Sequence, residues 1–89
     1  MNEINYDRKI EVFKRGDFYL WSLKDRDGCR FIVSQEFCSP SVALANAFDV
    51  LEGSAHTYYW TVQGGPTTMV IFVGTAYEMQ EHYRKIRRT

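Results

Sequence analysis

The sequence lacks any long apolar run and any stretch typical of a leader peptide. No run approaches the roughly 18 residues that a membrane-spanning helix needs. The first five residues are polar and do not follow the basic-then-apolar order of a secretory signal. We therefore expect the protein to stay in the cytoplasm and to have no membrane partner.

Cysteine and histidine are scarce and poorly spaced for a metal site. The chain has Cys29, Cys38, His56 and His82, but no Cys-x-x-Cys or His-x-x-x-His pair. In a reducing compartment we expect two partly buried thiols and no disulfide. Neither a Cys–His nucleophilic pair nor any other catalytic grouping has support in the spacing of the residues. The sequence therefore predicts no metal, no cofactor and no enzymatic activity.

Basic residues are missing from the middle of the chain. Eleven Lys and Arg balance eleven Asp and Glu, yet residues 31–83 hold no Lys or Arg. Because nucleic-acid binding depends mostly on phosphate neutralisation, this pattern disfavours a nucleic-acid partner. A basic C-terminal end either complements a helix dipole or anchors an acidic partner. Its bases are Arg84, Lys85, Arg87 and Arg88.

The length of the chain allows one domain, spanning residues 1–89. Hydrophobic residues make up 45% and charged residues 25%, which is typical of a globular protein. A chain of this size can bury one sheet with one or two helices packed on it.

Alternating and aromatic-rich segments predict five strands. The first is ambiguous, because Tyr6, Ile10 and Phe13 also have helical spacing, and residues 2–14 are open to either structure. The second and third are joined by a turn ending at Gly28 and predict a hairpin. The predicted strands are residues 9–14, 18–24, 30–35, 58–62 and 69–73, with a loop at 64–66 before the last.

Two segments have the caps and the periodicity of helices. Ser39 is an N-cap followed by proline, and Gly53 suits a C-terminal cap, so we predict a helix over 40–52. Thr75 and Glu78 form a capping-box pattern before a second helix. Apolar stripes support both helices: Leu44, Ala47, Phe48 and Leu51, then Ala76, Met79, Tyr83 and Ile86.

The predicted elements follow the order β-β-β-α-β-β-α. Short connections favour antiparallel pairing. We therefore predict an α+β fold, with an antiparallel sheet of four to five strands and two helices.

Aromatic residues are abundant, at 16% of the chain, and fall on both faces of the predicted strands. Helices cover only one face, so we predict that some of Tyr19, Trp21 and Tyr59 remain on a contact surface. The alternative is that a small core uses large rings to bury area efficiently. The predicted partner-binding residues are Tyr19, Trp21, Tyr59, Arg26, Arg30, Arg84, Arg87 and Arg88.

The hairpin over 18–35, the helix over 40–52 and the hairpin over 58–73 resemble small phage-encoded anti-defence proteins, such as anti-CRISPR inhibitors. The resemblance covers most of the chain and rests on size and element order, without a shared motif. It implies a viral protein that acts in the host cytoplasm, where it binds a host protein or complex directly and blocks it.

From these features we predict a non-enzymatic inhibitor that acts by protein–protein contact. The alternative is a small-ligand binder, such as a sponge for a nucleotide signal, in which rings stack the base and Arg26, Arg30 or the basic C-terminal residues meet the phosphate. That site would form in a homodimer, because one chain of this size has little interior. Single-stranded nucleic-acid binding on a sheet face is a third hypothesis. It is disfavoured because residues 31–83 contain no Lys or Arg.

Overall fold

The computed structural model describes residues 6–63 and 69–87, which form one sheet with two helices. The α+β class is confirmed, and the predicted loop at 64–66 lies outside the described residues. No helix in the described part of the chain is long and apolar enough to cross a membrane. The elements are β1 (Arg8–Arg15), β2 (Phe18–Asp25), β3 (Arg30–Val33), α1 (Pro40–Val50), β4 (Tyr58–Gln63), β5 (Met69–Gly74) and α2 (Ala76–Arg87).

The sheet is mixed, so the prediction of a purely antiparallel sheet is wrong. Its strand order is β3-β2-β1-β4-β5, in which β1 runs antiparallel to β2 and parallel to β4. The physical reason is the connection through α1. A helix carries the chain from β3 across one face of the sheet, and β4 can then start in the same direction as β1.

The helices cover one face of the sheet, and the core lies beneath them. Register places Val12 of β1 between Trp21 of β2 and Val62 of β4, and all three are buried. The apolar stripe predicted for α1 packs here, and Phe48 lies 5.7 Å from the ring of Trp60. Along the α2 stripe, Ala76 and Met79 are buried and Tyr83 packs on the core, but Ile86 stays exposed.

Both helices begin at the predicted caps. The Ser39 hydroxyl accepts a hydrogen bond from the Val42 N–H at 3.2 Å. Thr75 and Glu78 bond reciprocally: the Glu78 N–H donates to Thr75 Oγ1 at 3.2 Å, and the Thr75 N–H donates to Glu78 Oε1 at 2.9 Å. Each cap contributes about 1 kcal/mol. Helix α1 ends at Val50, a little earlier than the predicted residue 52.

Both cysteines are free and exposed, so the prediction of partly buried thiols is wrong. Cys29 follows the β2–β3 turn, where Gly28 has a φ of 94°, a conformation that glycine adopts without strain. Asp25 Oδ1 closes this turn by accepting the Cys29 N–H at 2.9 Å. Cys38 lies directly before the N-cap of α1. Both cysteines therefore sit in connections, outside the elements that face the core.

Candidate partner-binding face

The face of the sheet opposite the helices, here called the open face, receives side chains from all five strands. Register aligns one row across it: Val33, Ser22, Glu11, Thr61 and Ile71. Residues two positions away on each strand share the same face, because strand side chains alternate. The open face thus comprises Arg30 and Val33; Phe18, Leu20, Ser22 and Lys24; Lys9, Glu11, Phe13 and Arg15; Tyr59, Thr61 and Gln63; and Met69, Ile71 and Val73.

Apolar side chains at the margins of the open face remain exposed to solvent. On the β3 side Val33 is 41% exposed, and on the β5 side Met69 and Ile71 are 60% and 56% exposed. Phe18, at the start of β2, is 45% exposed. These four side chains lie at the two opposite margins of one uncovered face, so a partner that contacts all of them must span the sheet.

The centre of the open face combines polar side chains with Leu20, which pairs with Phe13 and is only 1% exposed. Lys24 Nζ lies 2.9 Å from Glu11 Oε1, which forms an ion pair across β1 and β2. Beside this pair, Ser22 is fully buried, and its Oγ has no hydrogen-bond partner within the described residues. A buried hydroxyl without a partner costs about 1–3 kcal/mol. The Ser22 hydroxyl therefore lowers the free energy of unfolding.

Two of the predicted arginines lie over aromatic rings at the open face. The Arg26 guanidinium is 5.1 Å from the centroid of Tyr6, whose ring is 5.3 Å from that of Tyr59. The Arg30 guanidinium is 5.6 Å from the centroid of Phe13. Stacking on a ring orients a guanidinium, and its N–H donors can still meet a carboxylate. The structure thus brings Tyr59, Arg26 and Arg30 to one face.

Tyr6 and Phe13 belong to this arrangement, and the sequence prediction missed both. Phe13 could have been found, because it shares its strand face with the charged Lys9 and Glu11, whereas Ile10 and Val12 form the apolar face. Tyr6 precedes β1, so strand alternation does not place its ring.

Trp21 and Tyr19 lie on the face that the helices cover, so the prediction of a surface ring at Trp21 is wrong. Trp21 is only 2% exposed, and its indole Nε1 donates to Asn46 Oδ1 of α1 at 2.8 Å. Tyr19 is half-buried against the core, and its backbone pairs with Phe37. The register of β2 on β1 turns both rings toward α1, away from Tyr59.

Arg84 and Lys85, the described bases of the C-terminal end, lie on α2, which packs on the face opposite the open face. Arg84 is on α2, where its Nη1 donates to Glu81 Oε1 at 3.1 Å. This exposed pair contributes less than about 1 kcal/mol. Arg88 and the side chain of Arg87 lie outside the described part of the chain. Arg84 is therefore not brought together with Tyr59, Arg26 and Arg30.

A groove of about 550 Å³ lies between the end of α1 and the start of α2. The carboxylates of Asp49 and Glu52 line it, and the C-terminal end of α1 adds a partial negative charge. These charges repel a phosphate, so the groove does not favour a nucleotide ligand. Within the described residues no three His, Cys, Asp or Glu side chains gather as metal ligands would.

The Asp7 carboxylate joins the start of β1 to the segment before β4. Asp7 Oδ2 accepts the Thr57 N–H at 3.0 Å, and His56 Nδ1 lies 3.4 Å from the same oxygen. The Thr57 hydrogen bond, helped by His56, holds the pKa of Asp7 below its usual value of 3.8. This exposed group fixes the first parallel contact of β1 with β4.

Comparison with known proteins leaves the family of this chain open. The resemblance to anti-defence proteins, which rests on size and element order, remains a prediction. No protein-family model, curated protein sequence or solved structure matches the chain.

Proposed function

We propose that this protein is a small non-enzymatic binding protein that inhibits a bacterial host defence complex by direct contact through its open face. The observation that carries the proposal is the exposure of Val33, Met69, Ile71 and Phe18 on a sheet face that α1 and α2 leave uncovered. The inhibitory role follows from the resemblance in size and element order to phage anti-defence proteins.

The chemistry of the open face suits a protein partner better than a small ligand. Protein interfaces combine apolar contacts with polar groups, and arginine and aromatic residues supply much of their binding energy. The open face offers aliphatic margins and two guanidinium groups, those of Arg26 and Arg30, held over rings. A complementary partner presents apolar side chains flanked by carboxylates. Such a contact takes about 800 Å² from each partner.

Two matched valine substitutions test which surface binds. Val33 lies on the open face, and Val50 lies on α1, where it is 55% exposed. Val33→Glu places a charge within the proposed contact, and Val50→Glu places the same charge on the helix side. The wild-type protein and both variants are immobilised and exposed to a bacterial host lysate, and bound proteins are identified by mass spectrometry. The activity of the captured complex is then measured with purified components.

We expect the wild-type protein and Val50→Glu to bind one host complex stoichiometrically and to inhibit it. Val33→Glu should lose at least tenfold in affinity, because a buried carboxylate without a partner costs several kcal/mol. Loss of binding in Val50→Glu alone would assign the contact to the helices. Failure of the wild-type protein to retain any stoichiometric host protein would contradict the proposal.

A further inference from the structure

Strand β5 is an open edge of the sheet. It stands last in the order β3-β2-β1-β4-β5 and pairs on one side only, with β4. In the described part of the chain, its outer N–H and C=O groups make no backbone hydrogen bond. Such a row of unpaired groups is a template for a further strand.

The opposite edge of the sheet is protected, and β5 is not. Strand β3 has only four residues, begins with the charged Arg30 and meets β2 at a bulge beside Leu23. Strand β5 has six residues without charge or proline, and its Met69 and Ile71 are exposed. Short length, charge and bulges are the usual obstacles to edge pairing. Strand β5 has none of them.

Helix α2 runs back over β5, and one side of α2 lies at the margin of the sheet. The ring of His82 stacks on that of Phe72 at 4.4 Å, which places the middle of α2 over the middle of β5. On the other side of α2, Tyr83 Oη is 3.3 Å from Ser41 Oγ of α1. The side of α2 that carries His82 therefore faces away from α1, toward the open edge.

Charges of opposite sign stand at the two ends of this side of α2. Glu78 and Lys85 flank His82 at helical spacing, and both are exposed. Lys85 makes no ion pair within the described residues. When two such helices run antiparallel around a two-fold axis, the acidic end of each meets the basic end of the other.

We propose that a second copy of this chain pairs antiparallel with β5, strand to strand, around a two-fold axis near Phe72. The pairing joins both five-stranded sheets into one continuous sheet. A two-fold contact requires a self-complementary surface. The two copies of β5 carry no charge and therefore pair without electrostatic repulsion. Glu78 of each copy faces Lys85 of the other.

This dimer leaves the open face of each copy accessible, so it does not depend on the host partner. It places the two open faces side by side on one extended sheet. A partner with repeated subunits would then gain avidity from the pair.

Sedimentation equilibrium of the purified protein, from micromolar to millimolar concentration, measures the association. We expect a dimer mass that falls toward the monomer mass on dilution. Ile71→Lys puts a charge near the axis in both copies and should give a monomer throughout. Ile32→Lys is the matched control, because it alters an exposed isoleucine on the opposite edge strand, and it should remain dimeric. Circular dichroism melting verifies that both variants fold.

Lys85→Glu tests the helix contact without altering the sheet. It sets the introduced carboxylate against Glu78 of the other copy, twice in each dimer. Association should weaken about tenfold at low salt, with a smaller effect at high salt. A wild-type monomer over the whole concentration range overturns the proposal. A folded Ile71→Lys that stays dimeric also overturns it, because the contact then uses another surface.

Discussion

Trp21 and Asn46 are joined by a hydrogen bond that ties the sheet to α1: the indole Nε1 donates to the amide Oδ1 at 2.8 Å. The ring itself is buried beside Val12 of β1. A buried N–H needs a partner, and Asn46 is the residue of α1 that supplies it. This bond helps to decide which face of β2 the helix covers.

Asn46→Leu should lower the free energy of unfolding by about 1–3 kcal/mol, because it leaves the indole N–H buried without an acceptor. Asn46→Asp keeps an acceptor oxygen at the same position and should cost less. Urea unfolding followed by circular dichroism measures both variants. Equal losses in the two variants would show that the hydrogen bond is not the source of the stability.

Ser22→Ala should raise the free energy of unfolding by about 1 kcal/mol, because it removes a buried hydroxyl that has no partner within the described residues. Ser34→Ala is the matched control. Ser34 Oγ accepts a hydrogen bond from the backbone N–H of Trp21 at 2.9 Å, so removal of this hydroxyl should destabilise the protein. Thermal unfolding of both variants gives the comparison. A loss in Ser22→Ala as large as that in Ser34→Ala would mean that the Ser22 hydroxyl is satisfied in solution.

Gly74→Ala should destabilise the protein by about 1–3 kcal/mol through overpacking. A Cβ at this position would lie 2.6 Å from Phe72 Cε2 and 3.2 Å from Glu78 Cβ. The Phe72 ring is held by its stack with His82 and cannot move away freely. Combining Gly74→Ala with Phe72→Leu should cost less than the sum of the two single changes in a double-mutant cycle. Strict additivity would rule out the predicted clash.

Asp7→Asn should reduce stability at neutral pH and should weaken its dependence on acid pH. The folded state lowers the pKa of Asp7, chiefly through the Thr57 N–H, so the ionised form stabilises the fold above pH 3.8. That contribution is lost as the pH falls through the lowered pKa. The difference in melting temperature between wild type and variant should therefore shrink as the pH falls below 3.8. Asp49→Asn on α1 serves as the control, and a difference that stays constant into acid would refute the assignment.

Local signals predicted most of the secondary structure. The cap at Ser39 and the reciprocal pair of Thr75 and Glu78 depend on residues close in sequence, and both form as expected. The alternation of Tyr19 and Trp21 against Phe18 and Leu20 is likewise set by the strand backbone. Such features need no information about distant parts of the chain.

The candidate site could be predicted only in part. Arg26, Arg30 and Tyr59 share the open face, yet Trp21 is buried and Arg84 lies on α2. Strand alternation separates two sets of side chains but does not say which set the helices cover. That choice depends on which neighbours each strand acquires.

Except in β1, where residues 2–14 fitted either a strand or a helix, the sequence by itself determined where strands and helices form, because periodicity, caps and turn residues act over a few positions. Only the tertiary structure decided that β4 pairs parallel to β1 and that α1 packs over Trp21. Both depend on contacts between residues far apart in the chain, whose free energy no local pattern encodes. The same long-range packing left Val33 and Ile71 exposed and β5 at an edge.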